Sequence, residues 1–119
     1  MDIKEKRCVD KIVDFAGRLH KRINSVTKDE FLCDYDIQDS ILYAIGQLGE
    51  NVDKSFEFLV KQNIDEDLLY SLIGMRNRLF HEYDDIDIGI VYDNVKNGID
   101  NLNMVFTELQ NRLNQQSKK

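Results

Sequence analysis

The sequence has no proline and no tryptophan, and it holds only two cysteines and two histidines in 119 residues. With Pro 0 and Gly 6, collagen-like, proline-rich and turn-dense all-β architectures are excluded. Cys8 and Cys33 are too few for a disulfide framework, so a reducing cytoplasm is the expected location. No apolar run approaches the roughly 18 residues of a membrane span, and no signal-peptide pattern opens the chain. Two distant histidines and two distant cysteines offer no metal-ligand spacing, and no glycine-rich phosphate loop occurs. Neither a metal nor a cofactor is expected. What is present is globular in kind: 42% hydrophobic and 32% charged residues, enough for one domain burying roughly two thirds of its unfolded surface. Lys+Arg 16 against Asp+Glu 22 gives a net charge of −6, which argues against a protein that coats nucleic acid.

The apolar residues recur at helical spacing almost throughout. Ile3, Cys8, Ile12, Phe15, Ala16, Leu19 and Ile23 form the stripe of an amphipathic helix from about Asp2 to Arg22, broken at Asn24 and Ser25. Thr27 and Glu30 have the spacing of a capping box, and Val26 with Phe31 that of a hydrophobic staple, so a short helix follows to about Cys33. Asp34 or Asp36 caps the next helix, with Ile37, Ile41, Ala44, Ile45, Leu48 and Val52 on its inner side. Gly46 and Gly49 lie inside that helix, where each costs about 1 kcal/mol against alanine, so something is expected to pack close to the backbone there. A further short helix begins at Ser55 and ends near Asn63. Asp65 or Asp67 opens a helix carrying Leu69, Leu72, Ile73, Arg76, Leu79 and Phe80. The last helix, capped by Asp87, carries Ile88, Val91, Val95, Ile99, Leu102, Phe106, Leu109 and Leu113. Strands are unsupported. The expected architecture is all-α, an antiparallel bundle of four to five helices spanning residues 1–113, with a polar tail at 114–119.

Chemistry concentrates in one place. Residues 75–83 read Met75-Arg76-Asn77-Arg78-Leu79-Phe80-His81-Glu82-Tyr83. Arginine supplies a permanent planar cation suited to phosphate, and histidine exchanges a proton near neutral pH. Asn77 lies four residues before His81, close enough on a helix to orient the imidazole. Arg76 and His81 are five apart, roughly 140° round a helix. They share a site only if the helix loosens after Phe80 or a second copy completes it across a two-fold axis. The competing reading is structural: Arg76 pairs with Glu50 or another carboxylate between helices, and His81 merely ends its helix. His20, within Arg18-Leu19-His20-Lys21-Arg22, reads as a surface residue, and Asp84-Asp85-Asp87 as a loop and cap.

Arg76-Asn77-x-x-x-His81-x-Tyr83 resembles the Arg-x4-His-x-Tyr signature of the HepT-like branch of the HEPN superfamily, the toxin half of HEPN–MNT toxin–antitoxin pairs. Ile45-Gly46-Gln47-Leu48-Gly49-Glu50 is similar to the apolar-Gly-Glu stretch of that family's second long helix, and Phe31, Asp34 and Gln38-Asp39 also fall where it has similar residues. The likeness spans essentially the whole chain. Asn51 stands where the family usually has alanine, and the tryptophan often found before its Arg-Asn pair is absent. The resemblance implies a metal-independent endoribonuclease working as a homodimer on an RNA substrate. In that reading His81 is the general base on a ribose 2′-hydroxyl, Arg76 stabilises the phosphorane, and Asn77 orients His81 or the phosphate. Gly49, Glu50 and Arg78 support the site, with Arg76 and Arg78 doubled by the two-fold axis into a local positive field. Tyr83 becomes the residue that an MNT-type nucleotidyltransferase antitoxin modifies with AMP. The alternative is a non-catalytic HEPN module, an accessory or nucleotide-binding subunit of a nucleotidyltransferase complex.

Overall fold

The computed structural model describes residues 2–81 and 83–116, with only the backbone of Tyr83 described. Six α-helices follow one another: α1 Ile3–Asn24, α2 Lys28–Cys33, α3 Tyr35–Lys54, α4 Phe56–Lys61, α5 Glu66–His81 and α6 Ile88–Gln116, with a 3₁₀ turn at Tyr83–Asp85. No strand occurs among the described residues. Four long helices make the bundle, and α2 and α4, of six residues each, turn its corners. α6 runs three residues beyond Leu113 into the polar C-terminal stretch.

The helix ends follow local chemistry. Asp2 and Glu5 close a capping box at α1, and Thr27 and Glu30 close another at α2. Asp34 rather than Asp36 caps α3, its carboxylate accepting from the amides of Asp36 and Ile37. Asp65 accepts from Asp67 N–H at the start of α5, and Asp87 accepts from Gly89 and Ile90 at the start of α6. Past α4 the chain turns through Asn63 at φ 65°, a left-handed conformation asparagine tolerates better than most side chains.

α3 is the middle of the assembly. It packs on α1 along one side and on α5 along the other, and α1 in turn packs on α6. The core runs through Val9, Ile12, Ala16, Leu19 and Ile23 of α1, through Ile41, Ile45, Leu48 and Val52 of α3, and through Leu102, Phe106 and Leu109 of α6. Two positions depart from the stripe expected for α1: Ile3 is exposed, and Val9 takes a buried place that the stripe had left out. Phe80 is likewise not core but lies on the surface. Asn51 is buried at the α1 side of α3, and its amide donates to the Gln47 carbonyl at 2.8 Å, which removes the cost of burying it. α5 and α6 make no packing comparable to the other neighbours. An open groove of about 390 Å³ separates them, walled by Leu72 and Met75 on one side and Val95 and Ile99 on the other.

The α3–α5 crossing is close. A Cβ at Gly49 would lie 2.4 Å from Arg76 Cβ and 2.7 Å from the Leu72 carbonyl oxygen, so a hydrogen at that position lets the two backbones meet. At Gly46 the ring of Phe80 lies 3.7 Å from the same position, an ordinary contact. Gly49→Ala therefore forces the helices apart and costs about 1–3 kcal/mol. Gly17→Ala, inside α1 with nothing within 4 Å of its Cβ position, gains about 0.5–1 kcal/mol from helix propensity. Chemical denaturation of the two variants against the parent chain measures both signs.

Candidate functional site

Arg76 is placed by the crossing just described. Its stem lies on Gly49, and its guanidinium turns along α3 toward two carboxylates one turn apart. Nη1 donates to Glu50 Oε2 at 2.8 Å, and Nη2 lies 3.2 Å from Asp53 Oδ2. Asn77, the next residue, folds its side chain back so that Oδ1 accepts from both Nε at 3.0 Å and Nη2 at 2.8 Å. Glu50 is shared, since Lys54 Nζ lies 3.7 Å from its Oε1. The Arg76 side chain is only 13% exposed, so this fork is fixed rather than sampled. Three of its five N–H groups are used in hydrogen bonds and Nη2 also faces the Asp53 carboxylate, so one hydrogen on Nη1 is left over among the described residues. An N–H of a fixed cation suits a phosphate oxygen.

The other site candidates separate into two sets. His81 is the last residue of α5 and exposed, and its side chain makes no hydrogen bond or ion pair among the described residues. α5 stays helical through His81, so it does not loosen after Phe80, and Arg76 and His81 leave the helix in different directions. Asn77 engages Arg76 and not the imidazole. Arg78 leaves α5 roughly 200° from Arg76 and lines the groove toward α6 with Met75 and Asn94. It does not join Arg76 within one protomer. Glu82 and the side chain of Tyr83 lie outside the described residues. His20 pairs with Asp100 of α6 at 2.9 Å, away from this site. Among the described residues no group of three or more His, Cys, Asp or Glu gathers as a metal site would require.

Two participants had no part in the expected site. Asp53 and Lys54 extend the Glu50–Arg76 pair into a four-charge cluster. Their spacing from Glu50, three and four residues on, is the only trace of this in the sequence. The structural reading of Arg76, a pair with Glu50 between helices, is present in full, and it coexists with one N–H still able to donate.

A family model described as ribonuclease HepT-like matches residues 10–109. The chain belongs to the ribonuclease HepT-like family. That match includes Gly49, Glu50, Arg76, Asn77, His81 and Tyr83, and an all-α bundle with a close α3–α5 crossing is this HepT-like chain's version of the fold. No solved structure matches it. No helix among the described residues is long and apolar enough to cross a membrane.

The Arg76 cluster generates a graded prediction for stability. Glu50→Ala removes the shorter charged hydrogen bond and costs about 1.5 kcal/mol, whereas Asp53→Ala, at an exposed carboxylate, costs under about 0.5 kcal/mol. A double-mutant cycle with Arg76→Met should return coupling for Glu50 well above that for Asp53.

Proposed function

We propose that the chain is a metal-independent endoribonuclease toxin that acts as a homodimer and is neutralised by an MNT-type nucleotidyltransferase. The observation that carries the reading is the fixed guanidinium of Arg76, with one Nη1 N–H to spare, inside a chain of a ribonuclease family. His81 takes the proton of a ribose 2′-hydroxyl, the freed oxygen attacks the adjacent phosphorus, and the bond to the 5′-oxygen of the next nucleotide breaks. The products are a 2′,3′-cyclic phosphate and a 5′-hydroxyl end, the imidazolium returning its proton to the leaving oxygen. General-base catalysis of this kind is typically worth about 10²–10⁴ in rate. Arg76 donates to a non-bridging oxygen as its charge grows, and Asn77 keeps the fork in plane so that no reorganisation is needed at that moment.

The divergence of Arg76 and His81 on one helix supports a composite site. Each cleft takes Arg76 from one protomer and His81 from the other. The exposed face of α5 is fit to meet a second copy, for Tyr70 is 59% exposed on the same side as Asn77 and His81, and Phe80, 62% exposed, borders that face toward α3. Aromatic residues of this kind are enriched at interfaces. Doubling also brings two Arg76 forks to one axis, offsetting the acidic exterior. The alternative is a non-catalytic accessory module, and it draws on one feature: Arg76 already has two carboxylate partners.

Arg76→Ala and His81→Ala should each abolish cleavage of cellular RNA and growth inhibition while leaving the dimer folded. Mixing the two variants discriminates further. In a composite site half of the mixed clefts regain both groups, restoring roughly a quarter of parental activity after random exchange. A mixture as dead as its components rules out sharing between protomers, and an AMP-free parent chain that cleaves no RNA favours the accessory module.

Tyr83 is the proposed acceptor of AMP, its hydroxyl displacing pyrophosphate from ATP on the partner enzyme. The chain co-expressed with that partner should gain the mass of one or more AMP groups. Tyr83→Phe should lose them and escape neutralisation, which an intact-mass spectrum and a growth assay read together.

A further inference from the structure

Charge is not spread evenly over this acidic protein. α1 carries seven of the 16 Lys and Arg residues but only three of the 22 Asp and Glu. Lys4, Arg7, Lys11, Arg18 and Arg22 fall within roughly 60° of one another round the helix, a basic stripe along its length. Lys4, Arg7, Lys11 and Arg22 are exposed and have no carboxylate partner among the described residues, whereas Arg18 pairs with Asp14. The stripe borders the seam between α1 and α3. Two clefts open there, of about 480 Å³ beside Lys4, Arg7, Lys11 and Lys54, and about 740 Å³ beside Arg18, Arg22 and Tyr43. Asp2 and Glu5, engaged in the α1 capping box, also line the first cleft, and Asp39 lines the second. In the second cleft, Tyr43 meets Phe15 edge-on at 5.8 Å, and Arg18 lies over the Phe15 ring.

We propose that this seam is the track on which the RNA strand lies as it enters the Arg76 site. The inference rests on the ribonuclease reading and adds to it the surface that holds substrate away from the scissile bond. Unpaired cations along a helix bind phosphates, and the exposed Tyr43 ring offers a face on which a base stacks. The track is joined to the site through contacts. Lys54 lines the first cleft and also approaches Glu50, which holds Arg76. A membrane surface fits less well, because a helix that lies on lipid needs a free apolar face, and that of α1 is spent in the core with Val9, Ile12, Ala16, Leu19 and Ile23 all buried. An acidic protein partner would find the same cations, but would leave the Tyr43–Phe15 pair unexplained.

The test replaces Lys4, Arg7, Lys11 and Arg22 together with glutamine in the full chain, with Lys11→Glu as a milder second variant and Lys61→Gln on α4 as a control. Binding of a short labelled single-stranded RNA is measured in the His81→Ala background over a range of salt, and cleavage of total RNA in the active background. The fourfold variant should bind at least about tenfold more weakly, with the loss appearing in KM. Its log–log salt dependence should flatten by about 0.7 for each phosphate contact removed, while Lys61→Gln tracks the parent. Unchanged affinity and salt slope in a chain that still cleaves RNA would falsify the track and leave the ribonuclease reading standing. A parent chain that neither binds nor cleaves RNA overturns that reading itself. Loss of binding to phosphatidylserine vesicles, with RNA binding intact, assigns the stripe to a membrane and overturns the proposal.

Discussion

Everything at the candidate site depends on how closely α5 approaches α3. Because Gly49 has no side chain, the Cβ of Arg76 rests almost on the opposing backbone, and its guanidinium is delivered to Glu50 and Asp53 at the depth of a helix–helix contact. A long arginine on an open surface samples many rotamers and loses them on meeting a ligand. Here packing against α3, together with the Asn77 amide, has already removed them. The same crossing fixes Phe80 over Gly46 and therefore the end of α5, where His81 stands.

That arrangement divides the labour along one helix. The inner side of α5 builds the fold through Leu69, Leu72 and Leu79. The side toward α3 holds Arg76, the outer side presents Asn77 and His81, and the side toward α6 carries Arg78 over an unfilled groove. With α5 packed firmly on α3 alone, its outer side is free to meet another surface. The 3.6-residue turn sets the limit: residues five apart on one helix cannot converge without help from elsewhere.

The charge distribution gives the acidic balance a different meaning from the one the totals carry. Seven of the cations lie on α1, most of them without partners, against three acids on the same helix. The balance of −6 thus describes the average surface and not the seam beside the site. Lys54 and Glu50 join the two regions, so a strand held on α1 would be handed to a fork that is already in position.

Helix order, caps and most of the core were legible in the residues themselves, since a capping box at Thr27 and Glu30 or a stripe from Val95 to Leu113 is a local matter of spacing and hydrogen bonding. The chemistry-bearing run Arg76 to Tyr83, and the need for something to pack at Gly49, were legible for the same reason. What packs there was not, because contacts between residues 26 or 27 positions apart depend on how two helices cross. Only the tertiary structure decided that Arg76 meets Asp53 as well as Glu50, that Asn77 serves Arg76 and not His81, and that Arg78 faces away. Sequence fixes which side chains share a helix face; the crossing of helices decides which charges share a site.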